Sequence, residues 1–303
     1  MFRPLLRHGL AALGHLYPLQ TGCGQLSRSR LCRWAVEGDG IQDARLRNGM
    51  TLRVPLTEFV GRAVYYFGDL DPKITWVLQR LLRPGDTVLD IGANVGLVSH
   101  YAAGRVGPHG RVHAFEPQPQ LVSLMEASVQ ANRLGNLHIH NLALGDEEAH
   151  LDLFIPSHNY GAASLVVEAG TEGERVRVPV LNATNYFEEL GVDQARLVKM
   201  DVEGYEPTVL RGAARFLDHV GPHFILLELN RAGHHGGNDE AVQLLRRHGY
   251  VFFNIPRRPL ANMVMRSGGI NGWSHDVIAV HGSKVAEAER LLPVRTRRAE
   301  PAT

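Results

Sequence analysis

The chain has 303 residues, enough for one large α/β domain, and its 44% apolar content allows a full core. Its 32 basic residues nearly balance its 31 acidic ones, which removes any global electrostatic case for nucleic acid or an anionic membrane and leaves such partners only a local patch. The two cysteines, Cys23 and Cys32, cannot define a disulfide scaffold, and no apolar run approaches the ~20 residues of a membrane span. Free thiols and a cytoplasmic setting are therefore expected.

Residues 1–36 lack Asp and Glu but carry Arg3, Arg7, Arg28, Arg30 and Arg33. A targeting peptide or a membrane-surface helix has such a composition. The apolar stretch is broken by Arg7, His8 and His15, which favours a helical appendage, residues 1–40, packed on the main domain. Residues 41–67 alternate in strand fashion around the turn Arg47-Asn48-Gly49-Met50 and predict a hairpin. Ile74, Val77, Leu78 and Leu81 then make one face of a helix over 71–82, which Pro84-Gly85-Asp86 ends.

The stretch TVLDIGANVGL, Thr87 to Leu97, reads as a buried strand, a tight glycine turn and a helix N-terminus. In an open α/β sheet such a turn lies at the carboxyl edge, where ligands bind. Asp90, Gly92, Ala93, Asn94 and Gly96 are the candidate cofactor residues. A dinucleotide turn reads G-x-G-x-x-G and rests a pyrophosphate on the helix amides. Here D-x-G-x-N-x-G puts the Asp90 carboxylate where that phosphate would sit, which suits the cationic S-adenosylmethionine. One strand later RVHAFEP sets Glu116 at a strand end, where a carboxylate can accept hydrogen bonds from both ribose hydroxyls. Strand, helix and strand in this length make a βαβ unit. A helix over 119–134 and a strand over 137–142 follow, and the end of that strand puts Asn141 and Ala143 at the adenine edge.

Between residues 149 and 181 the repeat gives way to LDLFI and RVRVPV around a polar stretch. A small β flap over the carboxyl edge is expected there, with Asn159, Tyr160 and Ser164 as acceptor contacts. A helix near 186–190, a strand over 196–202, a helix over 207–217 opened by Pro207 and a strand over 223–229 resume the repeat. A helix over 239–248 and strands at 250–254 and 277–281 close it, and the tail is expected to fray from Pro293.

The segment KMDVEGYE offers three carboxylates at a strand end. Glu206 is explained by the helix N-terminus behind it. Asp201 is the first candidate to position the acceptor or take its proton, with Glu203 as its partner, Gly204 permitting the turn and Lys199 ranked lower. Glu228 ends the next strand as a further catalytic candidate, and Asn230 and His234 follow as acceptor contacts. The neighbouring His235 cannot share a face with His234 on a regular element, and Trp273 could stack on the acceptor. Mg²⁺ needs only one or two carboxylates, but the reading favours no metal.

The blocks DIGANVG, FEP, NLALGDEE, KMDVEGYE and LLELN, in this order and preceded by RNGMTLRV and YYFGDLDP, resemble the FkbM family of S-adenosylmethionine-dependent methyltransferases over residues 41–281. The resemblance implies an α/β, Rossmann-like class I methyltransferase fold: a seven-stranded, mostly parallel sheet with one antiparallel strand and helices on both faces. The lead-in then spans 41–85, the methyltransferase domain 86–282 and the tail 283–303. It also implies O-methylation of a hydroxyl on a sugar, glycan or polyketide-like small molecule. A nicotinamide-dependent oxidoreductase is opposed by the acidic turn. A non-catalytic binding module is opposed by the intact Asp90, Gly92, Gly96 and Glu116. No basic stripe supports nucleic acid, and DVEG stands where an N-P-P-Y-like stretch would serve amino-group transfer.

Overall fold

The computed structural model describes residues 2–19, 21–156, 163–165, 173–218, 221–228, 240–258, 260, 263–266 and 276–296. Three helices open the chain: α1 (Phe2–His15), α2 (Cys23–Ser27) and α3 (Arg30–Ala35). Strands β1 (Ile41–Arg45) and β2 (Thr51–Pro55) form the expected hairpin, with Arg45 opposite Thr51. The strand pattern does not continue to residue 67, because Phe59–Phe67 is a helix, α4. Val60 through Phe67 are all buried there, so no polar face distinguishes a period of 2 from one of 3.6.

The sheet repeat follows with α5 (Pro72–Leu81), β3 (Thr87–Ile91), α6 (Leu97–Val106), β4 (Arg111–Phe115), α7 (Pro119–Asn132) and β5 (Leu137–His140). Next come three flap strands, β6 (Ala143–Gly145), β7 (Ala149–Pro156) and β8 (Gly173–Asn182), which form their own sheet in the order β6-β8-β7. The remainder comprises α8 (Ala183–Glu189), β9 (Leu197–Met200), α9 (Glu206–Gly212), α10 (Ala214–Asp218), β10 (Phe224–Glu228), α11 (Glu240–Arg247), β11 (Tyr250–Asn254), β12 (Val264–Arg266), β13 (Asp276–His281), α12 (Val285–Leu291) and β14 (Val294–Thr296). The helix expected over 207–217 is two helices that part at Ala213, next to Gly212, whose missing Cβ would meet the Gly145 carbonyl oxygen at 1.8 Å.

The main sheet has nine strands in the order β14-β12-β11-β13-β10-β9-β3-β4-β5. From β5 through β10 every pairing is parallel, and β13 runs antiparallel to both of its neighbours. Without the three-residue strands β12 and β14 this is the seven-stranded sheet with one antiparallel strand. The tail does not fray at Pro293: Val294 pairs with Val264 and β14 continues the edge of the sheet. An open strand edge offers unpaired amides and carbonyls, and the tail takes them up.

Side-chain alternation along the strands feeds two cores. Val88 and Val112 point to the face covered by the amino-terminal helices, α5, α6 and α7, whereas Leu89, Ile91 and Phe115 point to the face covered by α8 to α11. Cys23 and Cys32 are free, buried thiols in the first of these cores. No helix among the described residues is long and apolar enough to cross a membrane.

At the β4–β5 edge, His113 Nδ1 lies 3.1 Å from His140 Nε2, and His140 Nδ1 lies 3.0 Å from the Tyr186 hydroxyl. Burial, with the charges of His140, His138 and Arg111, pushes His113 down to about 4, and burial with His138 does the same to His140. Their unfolded value is near 6.5, so the unfolded chain binds more protons between those values. The stabilisation is complete above pH 6.5 and is lost as pH falls towards 4. The thermal midpoint should therefore hold steady from pH 8 to 7 and drop between pH 6.5 and 4.5, with His140→Gln flattening part of that drop. A curve that His140→Gln leaves unchanged would refute the assignment.

Candidate active site

The turn after β3 is held from three directions. Gly92 has φ +77°, and a Cβ there would stand 1.9 Å from the Asp201 carbonyl oxygen, so the turn lies directly against the end of β9. The amides of Gly92 and Ala93 both donate to the Phe115 carbonyl at 3.0 Å. The Asn94 amide donates to Glu116 Oε2 at 2.8 Å, while the Gln118 amide donates to Glu116 Oε1 at 3.0 Å. Glu116 is only 4% exposed, and burial raises its pKa against the pull of those two amides. The Gln118 side chain bonds the carboxylate as well, and three donors do not fill its roughly four lone-pair sites.

Two cavities open along the carboxyl edge of the sheet. The first is walled by Ile91, Phe115, Glu116, Leu142 and Ala143 and is covered by Leu153, Ala163 and Leu165 of the flap. The second lies between the segment from Thr21 to Arg28, the residues Phe59, Asp69 and Asp71, and the strand ends bearing Lys199, Glu228 and Asp276. Asn94, Asp201 and Glu203 belong to both. Among the described residues that line the first cavity there is no Lys or Arg. Its mostly apolar wall with one buried carboxylate, Glu116, has the chemistry that an adenosine calls for.

Strand register sets the charges of the second cavity in a row. Met200 pairs with Leu227, so Asp201 and Glu228 follow on adjacent strands, and Glu228 pairs with Asp276 on the next. Burial, then the charges of Asp201, Asp276 and Glu203, pushes the Glu228 carboxyl up to about 8. Lys199 Nζ donates to the Gly92 carbonyl at 2.5 Å and lies 3.5 Å from Asp90 Oδ1 and 3.6 Å from Asp201 Oδ2. Burial opposes the lysine charge, but Asp201, Asp90, Glu116 and Glu228 together raise its pKa. Lys73, 1% exposed, bonds Asp71 and lies 2.7 Å from Asp276 Oδ2. Asp69 is buried and pushed up to about 6 by that burial, although the Thr75 hydroxyl donates to it at 2.7 Å.

The structure brings Gly92, Asn94, Glu116, Ala143, Asp201, Glu203 and Glu228 to the cavities, and Ala93 lines the second. It does not bring Asp90 there. Asp90 shares the face of Val88, has no exposed surface and accepts from the Ser99 hydroxyl at 2.5 Å, so it reaches the turn only through Lys199. Gly96, with φ +81°, opens α6 and lines neither cavity. Asn141 also turns away, because β5 ends at His140; its amide donates to the Glu116 and Pro117 carbonyls at 3.0 Å each, and Leu142 takes its place beside Ala143.

The Ser164 hydroxyl donates to the Glu203 carbonyl at 2.9 Å and ties the flap to that turn. The described flap residues cover the first cavity, where the sequence predicted acceptor contacts. Glu203 itself has φ +50°, and Glu206 Oε1 accepts from the Val202 amide at 3.1 Å, as a residue serving the turn. Asn159, Tyr160, Asn230, His234, His235 and Trp273 lie outside the described residues. Sequence reasoning missed Arg28, Phe59, Asp69, Asp71, Arg257 and Asp276 in the second cavity. The paired acids of GDLDP were the available signal. Among the described residues, no three His, Cys, Asp or Glu side chains are grouped to hold a metal ion.

Fold and site together define an S-adenosylmethionine-dependent methyltransferase of the α/β class. The Methyltransferase FkbM domain profile matches residues 90–252, and the chain belongs to the FkbM methyltransferase family. It is 26% identical over 244 residues to the 31-O-demethyl-FK506 methyltransferase FkbM of Streptomyces tacrolimicus, covering 70% of this chain and 90% of that one. It is also 29% identical over 212 residues to the AMB antimetabolite synthetase AmbE of Pseudomonas aeruginosa, covering 56% of this chain and 10% of that one. Among solved structures, it is similar to Aeropyrum pernix fibrillarin with bound S-adenosyl-L-methionine (TM-score 0.39, 15% identity, covering 80% of this chain and 94% of that one).

Gly92→Ala should lower stability by at least ~2 kcal/mol, because the added Cβ meets backbone and the φ is positive. Chemical denaturation measures this, and a loss under about 0.5 kcal/mol would mean the turn stands off from β9.

Proposed function

We propose that the enzyme methylates a hydroxyl oxygen of a sugar-like or polyketide-like small molecule held in the second cavity. The observation that carries this reading is the meeting of the two cavities at Asn94, Asp201 and Glu203. The name of the Streptomyces relative, a 31-O-demethyl-FK506 methyltransferase, supports an oxygen acceptor. So does a wall rich in carboxylates, which accept hydrogen bonds from hydroxyls.

S-adenosylmethionine, when bound, supplies a methyl group already activated by its sulfonium. Glu116 accepts from the ribose hydroxyls with its remaining lone pairs, while Leu142 and Ala143 edge the adenine. Asp201 orients the acceptor hydroxyl at the junction and takes its proton. Glu228 keeps its own proton below about pH 8, so one carboxyl donates while its neighbour accepts. Glu203 bounds the junction on the flap side, and Lys199 fixes Asp201 against the glycine turn.

Glu116→Ala should weaken S-adenosylmethionine binding at least tenfold by calorimetry, since hydrogen bonds to a charged group are lost. Unchanged affinity would place the ribose elsewhere. Asp201→Asn should keep that affinity within about threefold while lowering kcat by about 10²–10⁴. Collapse of cofactor binding in this variant would overturn its role with the acceptor. Turnover should fall as pH rises through about 8, where Glu228 loses its proton. Glu228→Gln should remove that alkaline fall, and an unaltered profile would refute the assignment.

A further inference from the structure

Among the described residues, most of the exposed large apolar side chains gather on the amino-terminal helices. They are Leu5 (70% exposed), Leu13 (69%) and Leu16 (77%) on or just after α1, Leu26 on α2, and Leu31 and Trp34 on α3. Leu5, Gly9, Ala12, Leu13 and, just past the helix end, Leu16 are exposed at i, i+4, i+7, i+8 and i+11, a single helical face with the exposed His8 at its margin. Leu10 and Ala11 pack on the core from the other side. Arg7 is also on the inward side, bonded to Asp39 at 2.6 Å, so this helix turns leucines out and a guanidinium in. Such a contiguous apolar surface marks an interaction site.

The charges beside it are predominantly basic, with Arg3, Arg7, Arg28, Arg30 and Arg33 against Glu37 and Asp39. Arg3 and Arg7 are paired with Glu37 and Asp39. Arg28, Arg30 and Arg33 are exposed, residues 1–36 hold no acid, and no ion pair involves these three among the described residues. Arg28 lies 3.9 Å over the Phe59 ring at the mouth of the second cavity.

We propose that α1, α2 and α3 form a docking face for an anionic lipid surface. Leucines and a tryptophan enter the boundary between headgroups and acyl chains, and the arginines meet the phosphates. A second copy of the chain would instead bring two sets of Arg28, Arg30 and Arg33 together, with Glu37 and Asp39 already engaged by Arg3 and Arg7. The same segment from Thr21 to Arg28 walls the second cavity, so docking sets the cavity mouth beside the lipid.

Co-sedimentation of the full chain with vesicles tests this without reference to methyl transfer. Binding should be at least tenfold tighter on phosphatidylcholine vesicles that contain phosphatidylglycerol than on phosphatidylcholine alone, and should weaken with salt. Replacing Arg30 or Arg33 by Gln should weaken it about fivefold each. The double variant Leu13→Glu, Leu16→Glu should abolish binding while leaving the thermal midpoint and S-adenosylmethionine affinity unchanged. Failure to bind either vesicle, binding that survives the double variant, or a dimer in sedimentation equilibrium that the double variant dissociates would each overturn the proposal.

Discussion

The turn after β3 approaches the end of β9 so closely that no side chain fits between Gly92 and the Asp201 carbonyl. That contact fixes the geometry around it. It sets the turn amides on the Phe115 carbonyl and the Asn94 amide on Glu116, and it places Asp201 where the two cavities meet. The positive φ values at Gly92, Asn94 and Glu203 lie on the two sides of this seam. Backbone strain of this kind persists only where surrounding contacts over-determine it, and here the carboxylate of Glu116 and the lysine beneath the turn supply those contacts.

Lys199 is the electrostatic counterpart of that seam. Its ammonium, buried between Asp90 and Asp201, would be costly alone, and the two carboxylates would repel each other without it. Asp90 thus contributes from behind the turn: it bonds Ser99 on α6 and faces the lysine that reaches the Gly92 carbonyl. A second buried lysine, Lys73, stands in the same relation to Asp71 and Asp276 at the far wall of the second cavity. Carboxylates outnumber these lysines along that cavity, and burial, then the charges of Asp201, Asp276 and Glu203, pushes Glu228 up to about 8.

The amino-terminal helices join this arrangement through packing. Cys23, Cys32 and Val36 share a core with Val88 and Val112 of the sheet, so the segment forms part of the catalytic body and walls the second cavity with the stretch from Thr21 to Arg28. The flap takes the opposite side. Leu153, Ala163 and Leu165 close over the first cavity, and the Ser164 hydroxyl fastens them to Glu203.

What the sequence determined by itself was local. The strand, glycine turn and helix from Thr87, Glu116 at its strand end, the Glu206 contact at its helix start and the order of the βα repeat all depend on residues near one another in the chain, whose dihedral preferences and hydrogen bonds need no distant partner. What required tertiary structure was direction and company. Alternation along β3 turned Asp90 inward, the end of β5 at His140 turned Asn141 outward, and burial of residues 60–67 on every side hid the helical period of that segment. An unpaired edge drew residues 294–296 into the sheet. The second cavity gathers side chains from positions 21 to 276, and a sequence carries no record of which distant residues will face one another once two cores have packed.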